Sequence, residues 1–348
     1  MQHGRSKADF LAATALQPEA VRRAKYLVEQ NKIAQYRAKV TECLGLKAGN
    51  DFSDAALSLT ASVLADNPEF YTIWNYRRTI FEARIRDQGH GPKAVIELLM
   101  SDIKWLLVSI LPLNPKSYWI WNHRRWCLEV LTKLLLASTA TEPEVTAAAT
   151  EKVKQVWKGE LALVNKFLDM DARNFHAWGY RQYTTSQLHT LQTPASSAAL
   201  TTAEFDYTTA KISSSLGNYS AWHARSTLLP AYLAATNQSL ESLLDAELDL
   251  LHNAMFTEPD GQSHWLYHKW LVTWATQVVA KEKVEEKVRE EIELLQELRA
   301  EEPGCKWVIG ALAFLYGVIE DKAKVAECVV RLQEMDPDRS GYYATLQK

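Results

Sequence analysis

Residues Asn114 to Trp126, NPKSYWIWNHRRW, crowd three tryptophans, a tyrosine, a lysine, two arginines and a histidine into one short stretch. Cations beside a helix start are the chemistry of anion binding, because the free backbone N–H groups and the positive dipole end of a helix already favour negative charge. Lys116 is placed for that role, with phosphate as the obvious anion, although the same lysine also reads as an ordinary exposed cation. His264 and His268 stand four apart and could share a metal on one helix face, but no third ligand follows nearby, so no metal is expected on this chain. The sequence has no G-x-S-x-G, H-E-x-x-H, P-loop or dinucleotide fingerprint, which argues against a self-contained enzyme.

The stretch has relatives within the chain. They are NPEFYTIWNYRR (67–78), DARNFHAWGYRQ (171–182), SLGNYSAWHARS (215–226) and EPDGQSHWLYHK (258–269). Aligned on Trp74, Trp121, Trp178, Trp222 and Trp265, the residue three earlier is Tyr71, Tyr118, Phe175, Tyr219 and then Gln262. The residue three later is Arg77, Arg124, Arg181, Arg225 and then His268. The tryptophans are separated by 47, 57, 44 and 43 residues, and Trp307 opens a weaker sixth copy after 42 more. Such spacing holds two helices and a turn per unit, whereas tetratricopeptide units keep a period near 34.

Those repeats must be carried by helices. Strand alternation is scarce, and long Ala, Leu, Glu and Lys-rich stretches recur at helical spacing. The expected fold is all-α, a single solenoid of about six helical hairpins, clearest over residues 67–310. An amphipathic first helix precedes each motif, and Pro68, Pro115 and Pro259 punctuate its end. The second helix is expected to start at Ser117, Asn174, Asn218 and Gly261, residue types suited to a helix N-terminus, with Phe70 the exception. Aromatic, Trp and Arg at steps of three should then form one stripe along it, packing the hairpins together while the arginines hold neighbours through carboxylates or carbonyls. The small polar runs 137–150 and 190–202 read as loops, and KEKVEEKVREEIE as a solvated helix face.

Composition excludes other classes. Lys and Arg number 39 against 42 Asp and Glu, a net charge of -3, so no nucleic-acid partner is expected. The four cysteines lie far apart with no C-x-x-C pair, which suits free thiols in a reducing compartment. The N-terminus lacks an apolar leader core and the apolar runs fall short of a membrane span, so a cytoplasmic protein without membrane insertion is expected.

The repeat of an aromatic, two residues, Trp, two residues, Arg resembles the protein prenyltransferase α subunits. The N-terminal HGRSK (His3 to Lys7) and the motifs NPEFYTIWNYRR and NPKSYWIWNHRR most resemble the type II branch, which acts on Rab proteins, in a compact form of fungal type. The resemblance implies a right-handed α-α superhelix wrapped around a β subunit that holds the catalytic zinc and the isoprenoid pocket, so that this chain itself needs no cofactor. It implies a reaction in which a zinc-bound cysteine thiolate attacks C1 of geranylgeranyl diphosphate, and Lys116 falls on the family's lysine that contacts the diphosphate. Tyr118 falls on its aromatic near that group, and Asn174 and His176 on the next helix start lining the same interface. Two positions depart from the farnesyl and type I enzymes. Phe175 lacks the hydroxyl of their Tyr, and Trp119 stands where their Gln reads a C-terminal carboxylate. These departures favour the type II enzyme, whose Rab GTPase substrates arrive on an escort protein expected to dock on the outer helices. The α subunit shared by farnesyltransferase and type I geranylgeranyltransferase, and a non-catalytic helical scaffold, are the alternatives.

Overall fold

Each indole at the centre of a motif closes a turn onto its own helix. In the computed structural model, which describes residues 18–87, 91–137 and 143–347, Nε1 of Trp74, Trp121, Trp178, Trp222 and Trp265 donates to the carbonyl six residues earlier, at 2.7 to 2.9 Å. All five indoles are buried. The N-terminal stretch carrying His3 lies outside the described residues.

The chain divides into two compact units, one up to Gln155 and one from Val156. The first contains α1 (Glu19–Ala48), α2 (Asp54–Asp66), α3 (Tyr71–Arg86), α4 (Pro92–Trp105) and α5 (Tyr118–Ala137). Helix α6 (Pro143–Met170) contains the division. The second unit continues with α7 (Phe175–Thr190), α8 (Pro194–Ser214), α9 (Tyr219–Ala235), α10 (Leu240–Thr257) and α11 (Gln262–Val278). It ends with α12 (Lys281–Glu301), α13 (Lys306–Val318), α14 (Lys322–Met335) and the short α15 (Ser340–Tyr343). The described residues contain no strand, and no described helix is long and apolar enough to cross a membrane.

Most helices adjacent in sequence within a unit pack together, and within each unit the motif helices also touch one another: α3 with α5, α7 with α9, α9 with α11 and α11 with α13. The arginines make this stacking specific. Arg77 on α3 donates to the Leu57 carbonyl and Thr60 hydroxyl of α2, both at 2.7 Å, and to the Asp102 carboxylate of α4. Arg225 on α9 reaches Thr208 and Thr209 of α8 at 3.1 and 2.7 Å and Glu247 of α10 at 2.7 and 2.6 Å. Arg181 on α7 joins Asn165 of α6 to Glu204 of α8 in the same way. A planar fork with five donors thus fastens a motif helix to the first helix of its own hairpin and of the next. Arg124 on α5 donates to the Ile103 carbonyl at 2.8 Å.

Three expectations are corrected by the structure. The stripe is not uniformly buried: Tyr71, Tyr118, Phe175 and Tyr219 are 54 to 63% exposed. A step of three residues falls about 60° short of a full helical turn, so two steps swing the first aromatic about 120° away from the buried arginine. Residues 194–202 are helix rather than loop, and so are 143–150. Proline at the first helical position leaves no orphan N–H there, Thr193 Oγ1 caps Ser196 N at 3.4 Å, and the alanines that follow are strong helix formers. Finally, Ser117 precedes α5 as expected, but its buried Oγ has no hydrogen-bond partner among the described residues, so its side chain does not cap. Asn174 and Asn218 do cap, accepting from His176, Ala177 and Ala221 N–H groups.

Candidate functional site

Lys116 stands on an exposed turn immediately before α5. Two features not foreseen from sequence set that turn. Helix α4 widens into a π-helical segment, Leu106–Ile110, before ending. The chain then folds back through Asn114 N–H to the Ile110 carbonyl at 3.0 Å and Ser117 N–H to the Asn114 carbonyl at 3.1 Å. Trp121 Nε1 holds the Pro115 carbonyl at 2.9 Å, so the residue preceding Lys116 is tied to the motif indole. Lys116 therefore stands two residues before the first residue of a 20-residue helix, where the dipole adds positive potential.

Tyr118 opens α5 and is 63% exposed. Beside it in sequence, Trp119 stacks on Tyr71 of α3, with centroids 5.7 Å apart. Lys116, Tyr118, Trp119 and Tyr71 therefore mark the starts of two motif helices in one unit. Asn174 and His176 belong to the second unit. Asn174 is buried, and its Oδ1 accepts from His176 N at 3.1 Å and Ala177 N at 3.4 Å, so it fixes the start of α7. His176 is half-buried with its ring 4.0 Å from that of Phe175. Asn218 Nδ2 ties the next turn back to the Ala172 carbonyl at 3.0 Å. At the following turn, Gly261 carries the His264 ring so close that an added Cβ would lie 2.6 Å from it.

Sequence reasoning missed the polar node under α5. Asp102, His123 and Cys127 are buried and bring their donor atoms within 4.8 Å of one another. His123 Nε2 lies 2.9 Å from Asp102 Oδ2, and Arg78 Nε donates to His123 Nδ1 at 3.3 Å. An accepting Nδ1 leaves the proton on Nε2, so His123 is a neutral donor to Asp102. Burial holds its pKa down, against the pull of Asp102. Burial alone would raise the Asp102 carboxyl, but the Arg77 charge and the His123 hydrogen bond outweigh it and keep the group ionised. Burial pushes the Cys127 thiol well up, so it is not a thiolate. As they stand these groups do not fit a metal: with Arg78 donating to Nδ1, the Nε2 that faces Asp102 carries the proton, Asp102 is already paired with Arg77, and the Cys127 thiol is protonated. The node instead joins α3, α4 and α5.

A signal for it existed. The acids paired with the motif arginines follow them at 22 to 25 residues: Asp102, Glu204 and Glu247. Glu291 follows His268 by 23 and binds it at 3.2 Å, with His252 on its other oxygen at 2.6 Å. Burial opposes ionisation of Glu291, but these histidine hydrogen bonds lower its pKa to about 2. His268 is engaged by Glu291, and burial holds His264 neutral, its pKa down to about 4.

Comparison with known proteins agrees with this arrangement. The protein prenyltransferase alpha subunit repeat matches residues 53–84, 106–131, 157–188 and 201–232, each a helical hairpin or the greater part of one. A chain of the solved Candida albicans protein geranylgeranyltransferase-I complexed with GGPP shares the fold, with a TM-score of 0.62 over 90% of this chain and 89% of that one, at 20% identity. The geranylgeranyl transferase type-2 subunit alpha of Saccharomyces cerevisiae is 31% identical, covering 93% of this chain and 94% of its own. That of Schizosaccharomyces pombe is 34% identical over 95% of each. Agreement of that extent, on hairpins each closed by the same indole-to-carbonyl contact, makes this chain a member of the geranylgeranyl transferase type-2 α-subunit family.

Proposed function

We propose that this chain is the α subunit of a cytoplasmic Rab geranylgeranyltransferase, active as a heterodimer with a β subunit. The enzyme moves the geranylgeranyl group from geranylgeranyl diphosphate to C-terminal cysteines of Rab GTPases delivered by an escort protein. The observation that carries this reading is the 34% identity to a type-2 α subunit across 95% of both chains. A thiolate forms a bond to C1 of the isoprenoid while the C1–oxygen bond to diphosphate breaks, and the leaving group keeps the electron pair. Zinc held by the β subunit would lower the pKa of the coordinated Rab cysteine, so that it reacts as a thiolate at neutral pH. The part of this chain is electrostatic. Lys116 and the N-terminus of α5 meet the charge that grows on the departing diphosphate, and donors already in position lower that barrier without reorganising. Tyr118 stands beside that charge, while Asn174 and His176 shape the start of the next motif helix.

The test is reconstitution. Co-expressed with a type-2 β subunit, the chain should transfer a fluorescent geranylgeranyl analogue to a Rab protein only when escort protein is present. Assembly instead with a farnesyl or type I β subunit, and prenylation of a C-a-a-X peptide, would replace this reading by the shared α subunit. Full activity of the Lys116→Ala heterodimer would leave the chain a scaffold.

A further inference from the structure

The last repeat lacks the staple that holds the others. Gly310 takes the slot three residues after Trp307, where earlier motifs carry arginine or His268. Leu332 stands 22 residues on, the separation of Arg225 and Glu247. An ion pair is thus replaced by a glycine and a leucine, and both line a cavity of about 430 Å³ between α11, α13, α14 and the segment after Met335. A Cβ added at Gly310 would meet nothing within 4 Å, so the missing side chain is open space. The walls are Trp265, Trp307, Phe314 and Leu346.

The lining carries three cations. Lys269 Nζ lies 5.4 Å from the centre of the Phe314 ring, and Lys306 Nζ 5.8 Å from that of Trp307. Arg339 completes the set, and among the described residues no carboxylate lines the cavity. Asp336, just outside, is shared by Lys306 and Arg339, each at 2.7 Å, and by the Tyr343 hydroxyl at 3.0 Å. One carboxylate among three cations leaves an excess of positive charge over an aromatic pocket. A volume in the range of small-molecule sites, apolar walls and a few charges are what an amphiphilic ligand requires.

We infer that this pocket binds a small amphiphilic anion, a flat or aliphatic apolar body bearing a carboxylate or phosphate head, with the body against Trp307 and Phe314 and the head on Lys269 and Arg339. The pocket is lined by residues of the second unit, and the inference does not depend on the reaction assigned to the Lys116 turn.

The test is isothermal titration of naphthyl phosphate into the full chain assembled with its β subunit, with geranylgeranyl diphosphate present to fill the isoprenoid site. Saturable binding of one molecule per heterodimer is expected. Gly310→Leu, which fills the cavity at a position where helix propensity improves, should abolish it. Lys269→Gln should weaken it roughly 10-fold, the loss of one charge-assisted contact, while leaving binding of uncharged naphthol unchanged. The inference is overturned if no saturable binding occurs, if Gly310→Leu binds as the parent does, or if naphthol binds the parent as tightly as its phosphate. Occupation of the pocket by a peptide segment of the β subunit would give the first of these results. Exposed Lys269 keeps the test open should Gly310→Leu fail to fold.

Discussion

Arg225 and Glu247 form a bidentate pair, with Nε and Nη2 donating to the two carboxylate oxygens at 2.7 and 2.6 Å inside the second unit. The Tyr267 hydroxyl donates to the same carboxylate at 2.6 Å, so Glu247 joins α9, α10 and α11. Both side chains of the pair are nearly inaccessible, at 6% and 1% exposed. Glu247→Ala should cost about 3–5 kcal/mol, because it strands a buried guanidinium, whereas the joint change Arg225→Met with Glu247→Leu should cost far less. Chemical denaturation of the two variants checks the order, and equal losses would assign the pair itself the stabilising role.

Gly261→Ala should destabilise the chain although the backbone there is ordinary for any residue, with φ at -75°. The cost is steric, since the new Cβ would fall 2.6 Å from His264 Cε1 and 3.1 Å from the Glu258 carbonyl oxygen. Overpacking of this kind costs about 1–3 kcal/mol. Adding His264→Ala should recover part of the loss, and thermal melting of the single and double variants measures it. A Gly261→Ala chain as stable as the parent would show that the imidazole moves aside freely.

Much of the fold was legible because repetition multiplies a weak signal. Six tryptophans at hairpin spacing, the last in a weaker copy, marked the motif helices, and the asparagines at 174 and 218 marked two of their starts. The tandem arginines announced partners, and the partners were themselves periodic, which single-motif reading overlooked. Other features were not legible. The exposure of Tyr71 and Tyr118 follows from angular drift along a helix, which a step-of-three pattern conceals. Residues 194–202 read as loop from their small polar character, yet proline and a threonine cap at their head start a helix. The Asp102–His123–Cys127 node combines a repeat position, the acid slot, with two positions that carry no repeat signal, so only coordinates bring them together. The pocket at Gly310 is a missing side chain, visible in sequence as a failed copy of the motif.

Stability should fall on mild acidification. His264 titrates near 4 in the folded chain, below the ordinary imidazole value of 6.5, because burial disfavours its charge. His123 is shifted in the same direction by burial. A lowered folded-state pKa means that the unfolded chain binds more protons between the two values, so stability is full above about 6.5 and is lost as pH falls towards 4. Glu291, with its pKa near 2, adds a second loss at lower pH, from its usual value of 4.5 downwards. The His264→Gln variant should flatten the first of these slopes in denaturant midpoints measured from pH 7.5 to 4.5. An unchanged slope would move the titration to other groups.

Lys116→Ala should lower the rate of the chemical step by ~10²-fold, the scale of losing one donor to a developing anion. Two unit charges about 3 Å apart interact by roughly 5 kcal/mol at an effective dielectric of ~20, before desolvation is subtracted, which leaves room for such a loss. Single-turnover transfer separates this step from binding and release. Trp121→Phe provides the contrast. It removes the N–H that holds the Pro115 carbonyl at 2.9 Å but keeps an aromatic ring in the core. The freed carbonyl should cost about 1–3 kcal/mol in stability and let the turn carrying Lys116 drift, so the chemical rate should fall by less than in Lys116→Ala. Combining the two should add little to the rate loss of Lys116→Ala alone, since the turn then positions no ammonium. Multiplicative losses in the double variant would mean that the indole acts on the reaction by another route.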